Sequence, residues 1–266
     1  MPAQPRTAVV VVAAGKGERV GARRNKVLLP LAGVPVLAWS LRTVARLDVV
    51  DRVVVVIREE DRADVTGVLH RHVPGLDAEL VVGGETRHGS EWNALRALAP
   101  GIDAGALDVV AIHDSARPLA SPALFRACIH AAAEHGGALP VHPQHSLVPR
   151  DSSPWDAEEL SPPTVNLPRE GTERHGRTRH ARTGLVAVQT PQVFRAAPLL
   201  AAYRYAARDG FLGTDTASCV ERYTDLEIRA VAAPATNLKI TFAEDVALAE
   251  RLLHKLVVRQ PESPVS

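Results

Sequence analysis

Short runs rich in valine and isoleucine alternate along the chain with longer amphipathic stretches. The apolar runs span residues 8–14, 52–57, 80–82, 109–112 and 138–141. The stretches between them carry apolar residues at three- to four-residue spacing, over 37–47, 65–73, 90–98 and 123–133. Continuous apolar strands separated by helices predict an α/β fold, a mainly parallel twisted sheet with helices on both faces. Such sheets bind ligands in the loops at the carboxyl ends of their strands.

The alternation breaks between His142 and Arg182. This stretch is interrupted by Pro143, Pro149, Pro154, Pro162, Pro163 and Pro168. The chain then resumes with a strand at 185–188, helices at 198–208 and 216–222, a strand at 226–232 and a helix from 243 to about 256. We therefore predict a single domain over residues 1–258, with an arm at about 142–187 and a disordered tail at 259–266.

Composition narrows the class of protein. Of 266 residues, 46% are hydrophobic and 23% are charged, which predicts a folded core rather than general disorder. A net charge of +1 argues against a nucleic-acid binder or a membrane-surface protein. The valine-rich run at 8–14 is too short to span a bilayer and leads into a glycine-rich turn, so we interpret it as a buried strand rather than a signal peptide. Two isolated cysteines, Cys128 and Cys219, favour the reducing cytoplasm.

A glycine-rich turn directly follows the first predicted strand. It contains Gly15 and Gly17, with Arg19 and then Lys26 downstream. Glycines let backbone N–H groups approach a phosphate closely, and the two cations match a triphosphate. A dinucleotide-binding turn requires a third glycine where this chain has Val20, and a Walker loop requires Ser or Thr where it has Gly17. Phosphate binding of another kind is the remaining prediction, with an ordinary strand-to-helix turn as its alternative.

The turn resembles the opening of the nucleotidyltransferases that activate sugars and polyols. His113-Asp114-Ser115-Ala116-Arg117-Pro118 resembles the His-Asp-Ala-Ala-Arg-Pro signature of the 2-C-methyl-D-erythritol 4-phosphate and ribitol-5-phosphate cytidylyltransferases. Four further segments match that family in the same order, at residues 83–90, 189–192, 214–218 and 237–241. The resemblance covers roughly residues 7 to 256 and implies a fold of the nucleotide-diphospho-sugar transferase type. It also implies transfer of CMP from CTP to a polyol phosphate, with Mg²⁺ as cofactor.

The resemblance assigns a role to each motif residue. It implies that the catalytic residues are Arg19, Lys26, Arg182 and Lys239. The nucleotide would be bound at Ala13, Ala14, Gly15, Gly17, Gly84, Glu85, Arg87 and Ser90. The acceptor would be bound by Asp114, Arg117 and Thr190, and the metal by Asp114 and Asp215. Each has a plainer alternative, such as a turn aspartate for Asp114, a surface ion pair for Arg117 or a helix cap for Asp215.

The resemblance also concerns the arm. Arg182 precedes Gly184 where the family has an arginine at the return of its protruding arm, and in that family two arms embrace so that each arginine enters the partner's site. This implies a homodimer formed through the arm; the alternative is one more charge in a basic stretch. The histidines of the arm, His142, His145, His175 and His180, show no zinc-site spacing and are predicted to be surface residues.

Two departures from the family leave alternatives open. Asn25 stands where the family has proline before its lysine, and Pro140-Val141-His142-Pro143-Gln144 replaces the family's Pro-Val-x-Asp-Thr. These changes leave the CTP half nearly intact and affect the acceptor half. We therefore predict 2-C-methyl-D-erythritol 4-phosphate as acceptor, with ribitol 5-phosphate as the alternative because Ser115 matches that version of the signature. A non-catalytic nucleotide-binding homologue is the alternative outside the enzymes.

Overall fold

The computed structural model describes residues 4–15, 25–143 and 186–258. These residues contain seven α-helices: α1 (Val36–Val44), α2 (Arg62–His72), α3 (Arg87–Asp103), α4 (Pro122–His135), α5 (Ala196–Asp209), α6 (Thr216–Tyr223) and α7 (Ala243–Val258). The strands are β1 (Thr7–Val12), β2 (Pro30–Leu31), β3 (Val34–Pro35), β4 (Val50–Ile57), β5 (Glu79–Val82), β6 (Val109–Asp114), β7 (Gly136–Pro143), β8 (Val186–Val188), β9 (Gln192–Arg195) and β10 (Glu227–Ala232).

One mixed sheet organises the fold. Its strand order is β10-β7-β9-β6-β1-β4-β5, with β8 added beside β7, while β2 and β3 form a separate two-stranded ribbon. Strands β6, β1, β4 and β5 are mutually parallel, and β10 is parallel to β7. Strand β9 runs antiparallel to both β6 and β7, which joins the two parallel parts. The predicted mainly parallel α/β sheet is confirmed.

The central strands of the sheet are buried on both faces because they are largely apolar. Along β1, Val9 and Val11 face a core formed with α1, α2 and α4, whereas Ala8 and Val10 face the core formed with α3, α5 and α6. Successive strand side chains point to opposite faces, so a continuous valine run suits a strand covered by helices on both sides. A smaller cluster packs α7 against Leu31 of β2 and Val36 of α1.

The differences from the predicted elements lie mostly at boundaries. Helix α1 ends at Val44 instead of 47, and α3 extends from Arg87 to Asp103 instead of 90–98. Strand β9 was not predicted, because its four residues follow Pro191 and have no long apolar run. It begins after a cis peptide bond between Thr190 and Pro191.

The predicted arm leaves and re-enters the sheet at adjacent strands. Pro143 at the end of β7 pairs with Val186 at the start of β8, in antiparallel register. Residues 144–185, and with them Arg182, lie outside the described residues, as does the predicted tail at 259–266. Within the described ranges, no helix has the length and apolar character needed to cross a membrane.

Candidate active site

A cavity of about 1070 Å³ opens where the parallel strands end. Its walls come from the carboxyl ends of β1, β4, β5 and β6 and from two segments that fold over them, 26–27 and 239–241. Nine residues predicted from the sequence line it: Ala14, Gly15, Lys26, Gly84, Glu85, Arg87, Ser90, Asp114 and Lys239. The strand-end position of the site therefore follows directly from the parallel topology.

The loop after β5 is built on close approach of backbone. A Cβ atom added to Gly83 would lie 2.6 Å from Cβ of Ala14 and 2.9 Å from Oγ of Ser90. At Gly84 it would lie 2.8 Å from the carbonyl carbon of Gly89. Ser90 accepts a hydrogen bond from the Gly84 N–H at 3.1 Å, which holds the loop against the start of α3. Only glycine fits at these two positions without displacing the loop.

Asn25 joins three parts of the site wall. Its buried side-chain amide donates to the carbonyl of Ala13 at 2.8 Å and to Oδ2 of Asp61 at 2.7 Å. Asp61 is also held by Arg58 at 2.7 and 2.8 Å. Proline could donate neither of the Asn25 bonds, so the asparagine has a physical role at the position where this chain departs from the family it resembles.

Asp114 ends β6 as an ionised, largely buried carboxylate. Lys239 Nζ lies 2.6 Å from its Oδ2, and Arg87 Nη1 lies 3.7 Å from the same atom. Burial alone would raise the pKa of Asp114, but the charges of Lys239 and Arg87 outweigh it and lower that pKa to about 2. Its Oδ1 accepts the Ala116 N–H at 2.9 Å, which fixes the side chain's orientation.

Three hydrogen bonds fix the segment that carries Lys239. The Ile240 N–H donates to the Ala116 carbonyl at 2.8 Å, and Lys26 Nζ donates to the Ile240 carbonyl at 3.0 Å. Arg117 Nη1 donates to the Asn237 carbonyl at 2.6 Å. Arg117, predicted to bind the acceptor, therefore lies beside the Lys239 segment and does not line the cavity in the described part of the chain. Its acceptor role stays a prediction.

Thr190 and His113 form a hydrogen-bonded pair next to Asp114. The Thr190 hydroxyl accepts the Asp114 N–H at 3.0 Å and lies 3.2 Å from Nδ1 of His113. His113 is fully buried, and burial lowers its pKa to about 4, so the imidazole is neutral at neutral pH. Thr190 is itself buried, and its contact with the acceptor phosphate stays a prediction.

Asp215 is the N-cap of α6. Its Oδ1 accepts the Ser218 N–H at 2.9 Å, while Ser218 Oγ accepts the Asp215 N–H, which completes a capping box. Its Oδ2 accepts a bond from Gln192 at 2.8 Å. The helix-cap alternative is thus present in the structure, and the metal-binding role stays a prediction. In the described ranges no group of three or more His, Cys, Asp or Glu side chains is arranged to hold a metal by itself.

Two residues that the sequence analysis did not single out extend the site into the core. Glu91 lies one turn after Arg87 on α3 and accepts from its Nε at 2.8 Å. Tyr203 of α5 donates its hydroxyl hydrogen to the other oxygen of Glu91. The four-residue spacing of Arg87 and Glu91 is the sequence signal that could have indicated this pair.

Three predicted residues fall outside the described ranges, namely Gly17, Arg19 and Arg182. Ala13 is described and buried, directly beneath the cavity-lining Ala14. The described residues thus place Lys239 and Arg87 beside one carboxylate, Asp114, and bring Lys26 to the same nucleotide-sized cavity. Such an arrangement suits binding and neutralising a polyanion.

The sequence matches one family of known proteins over most of its length. The family model described as IspD, 2-C-methyl-D-erythritol 4-phosphate cytidylyltransferase, matches residues 7–152 and 174–255. A protein of that name from Symbiobacterium thermophilum is 34% identical over 247 residues, 93% of this chain and 92% of that protein. Another, from Cereibacter sphaeroides, is 37% identical over 250 residues, 93% of this chain and 96% of that protein.

The fold is similar to that of solved structures. The crystal structure of 2-C-methyl-D-erythritol 4-phosphate cytidylyltransferase from Thermus thermophilus is 28% identical, with a TM-score of 0.60 over 92% of this chain and 98% of that one. The structure of 4-diphosphocytidyl-2C-methyl-D-erythritol synthase from Anaerococcus prevotii has a TM-score of 0.70 over 94% of this chain and 97% of that one. At 24% identity the second similarity shows the fold alone.

Proposed function

The chain belongs to the 2-C-methyl-D-erythritol 4-phosphate cytidylyltransferase family, and we propose that it transfers CMP from CTP to 2-C-methyl-D-erythritol 4-phosphate, releasing pyrophosphate. The observation that carries the proposal is the strand-end cavity in which Lys239 and Arg87 lie beside Asp114 and which Lys26 also lines. The cytidylated product of this reaction leads to isoprenoid precursors, as the resemblance implies.

The reaction requires positioning and charge neutralisation rather than a covalent enzyme intermediate. A phosphate oxygen of the acceptor attacks the α-phosphorus of CTP, forming a new P–O bond as the bond to the bridging α–β oxygen breaks. The electron pair of that bond leaves with pyrophosphate. Lys26, together with Arg19, neutralises charge that develops on the phosphates, and Lys239 contacts both nucleotide and acceptor.

Cytosine would be bound mainly by backbone groups. The loop that contains Gly83 and Gly84 lies against Ala14 with no space for a side chain, and Ser90 is fixed beside it. Backbone groups at Ala13, Ala14 and Gly84, with the Ser90 hydroxyl, form the proposed pyrimidine site. A purine base is larger than a pyrimidine and should fit less well against this closely packed loop. CTP should therefore be preferred over ATP and GTP.

The donor set at the cavity fits Mg²⁺. Magnesium in nucleotide sites is usually held by one or two carboxylates together with substrate phosphates and waters. Asp114 supplies an ionised carboxylate that lines the cavity, and it would hold the ion with the CTP phosphates. Asp215, which is not among the cavity-lining residues of the described chain, is the second proposed ligand. When bound, the ion neutralises phosphate charge and polarises the phosphorus centre.

The acceptor half of the site is proposed to be shared between two subunits. The ends of the predicted arm lie side by side on β7 and β8, where Val186 and Val188 are exposed. Pairing of two arms about a two-fold axis would cover such apolar positions and bring Arg182 to the partner's acceptor phosphate. Arg117 and Thr190 are the proposed acceptor contacts within one subunit.

Pyrophosphate release is the direct test of this function. The protein is assayed with CTP and Mg²⁺ against 2-C-methyl-D-erythritol 4-phosphate, ribitol 5-phosphate and a sugar 1-phosphate. We expect the first acceptor to give the highest kcat/KM, and omission of Mg²⁺ or replacement of CTP by ATP or GTP to reduce turnover strongly. Equal turnover with purine nucleotides, or no release with any acceptor at any metal concentration, would refute the proposal.

A further inference from the structure

A fully buried carboxylate lies behind the cavity wall. Glu91 is 0% exposed in the core between α3 and α5, a position that an apolar side chain would ordinarily fill. Burying a charged group is unfavourable unless it is paired and hydrogen-bonded. Burial raises the pKa of Glu91, while the Arg87 charge and the Tyr203 hydroxyl act in the opposite direction.

Glu91 contacts the cavity-lining Arg87 on one side and the buried Tyr203 on the other. One carboxylate oxygen accepts from Arg87 Nε at 2.8 Å, and the other accepts from the Tyr203 hydroxyl. Tyr203 is fully buried, and its ring stacks on His88 at a centroid distance of 4.6 Å, so the hydroxyl has a fixed position. The chain Tyr203–Glu91–Arg87 therefore connects the core to the cavity wall.

Arg87 presents one terminal nitrogen, Nη1, to the site. Nη1 lies 3.7 Å from Asp114 Oδ2, too far for a hydrogen bond, while Lys239 Nζ occupies the same oxygen at 2.6 Å. Among the described residues, Nη2 is buried and has no hydrogen-bond partner. An arginine free to rotate would move onto the nearby Asp114 carboxylate; the bond from Nε to Glu91 opposes that movement.

We propose that Glu91 and Tyr203 are positioning residues for the cytidylyltransferase reaction, which hold the Arg87 guanidinium beside Asp114 but not on it. Arg87 Nη1 then faces the phosphates from beside Asp114, and Asp114 stays available to Lys239 and substrate. Neither Glu91 nor Tyr203 touches the cavity in the described structure, so both act through Arg87. This inference rests on the proposed function.

The test begins with two conservative variants. Glu91→Gln removes the charge and keeps the shape, and Tyr203→Phe removes only the hydroxyl. Each should lower kcat/KM by roughly tenfold to a hundredfold, mostly in kcat, because a guanidinium displaced by about 1 Å is misaligned with the transition state. Tyr223→Phe is the matched control, since the Tyr223 hydroxyl is buried without a partner in the described residues, and it should stay within about twofold of the parent.

A double-mutant cycle with Arg87→Lys separates positioning from general stabilisation. If Glu91 acts through Arg87, then Glu91→Gln should cost far less in the Arg87→Lys background than in the parent protein. Equal costs in the two backgrounds would overturn the proposal, as would near-parental rates of Glu91→Gln. Should Glu91→Gln fail to fold, the same cycle is run with Tyr203→Phe and read in the same way.

A spectroscopic measurement keeps this inference separate from the proposed function. The Nε–H signal of Arg87, identified by its loss in Arg87→Lys, should shift in a ¹⁵N spectrum of Glu91→Gln and of Tyr203→Phe but not of Tyr223→Phe. Absence of these shifts would refute the chain of contacts even in an active enzyme. If the variants show the shifts but the wild-type protein binds CTP and releases no pyrophosphate, the proposed function is refuted and the contacts stand.

Discussion

Lys239 and Asp114, which both line the cavity, form an ion pair with an Nζ–Oδ2 distance of 2.6 Å. Asp114 is the last residue of β6, and Lys239 lies in a segment near the C-terminal helix α7. The pair joins the predicted metal-binding carboxylate to the predicted catalytic lysine. Because Asp114 is only 13% exposed, its charge depends on nearby cations rather than on water.

Lys239→Met is therefore expected to affect both activity and stability. Loss of a cation aimed at the phosphates should lower kcat/KM by roughly a hundredfold or more. The melting temperature should also fall, because the nearest remaining ion-pair partner of Asp114 in the described ranges would be Arg87 at 3.7 Å. Lys255→Met, at an exposed position of α7, is the control. Unchanged rates and melting in Lys239→Met would contradict the assignment.

Lys26→Ala and Arg19→Ala test the phosphate-binding turn. Each should lower kcat/KM by roughly 100-fold, on the order of 3 kcal/mol of transition-state stabilisation. Steady-state kinetics and circular dichroism should show folded but slow enzymes. Lys26→Ala additionally removes the bond to the Ile240 carbonyl, so its melting temperature should fall more than that of Lys255→Ala. The turn is misassigned if both variants turn over at the parental rate.

How far the sequence could predict this site is clearest at Asn25 and Glu91. The parallel strands and their helices were predictable because valine runs and helical spacing are local signals. Asn25 stood out only as a departure from a family pattern, since its partners Ala13 and Asp61 are distant in the sequence and meet through the fold. Glu91 looks like one polar residue on an amphipathic helix until α5 brings Tyr203 against it. Such tertiary contacts carry no periodicity.

Strand β9 illustrates the same limit for the fold. Its residues Val193 and Phe194 are fully buried, but four residues after a proline give no strand period to detect. Their strand conformation comes from antiparallel pairing with β6 and β7 on either side. Pairing of this kind depends on the whole sheet, so local propensity does not predict it.

Gly83→Ala should weaken nucleotide binding while leaving the fold intact. The new methyl group would meet Ala14 at 2.6 Å and Ser90 at 2.9 Å, which would separate the two loops that form the pyrimidine site. Isothermal titration should show CTP affinity reduced by roughly tenfold or more, about 1.4 kcal/mol. Gly75→Ala is the matched control because its added methyl group has nothing within 4 Å. Equal CTP affinity in both variants would place the nucleotide elsewhere.

Both cysteines should resist alkylation in the native protein. Cys128 and Cys219 are fully buried, and burial, followed by the Glu91 charge, raises the pKa of Cys219 to about 12. Thiolate is the reactive form, so iodoacetamide at pH 8 should label native protein at least roughly tenfold more slowly than urea-unfolded protein, as followed by mass spectrometry. Because the pKa of the Cys219 thiol is higher in the folded than in the unfolded protein, this group stabilises the fold fully below the unfolded pKa of about 8.5. That stabilisation is lost as the pH rises towards the folded pKa of about 12. Rapid native labelling would show that the core opens readily.

The dimer and its shared acceptor site can be tested by mixing inactive subunits. Light scattering should give a homodimer, and Arg182→Ala should raise KM for the acceptor strongly while CTP affinity stays near the parental value, because Arg182 is proposed to contact only the acceptor phosphate. In a heterodimer of Arg182→Ala with Lys26→Ala subunits, one of the two sites has both residues intact if the arms exchange arginines, so each heterodimer should regain about half the activity of a parental dimer. Mixing two batches of the same variant is the control and should restore nothing. A monomer at assay concentration, or no recovery after exchange is verified by mass spectrometry, would mean that each subunit builds its acceptor site alone.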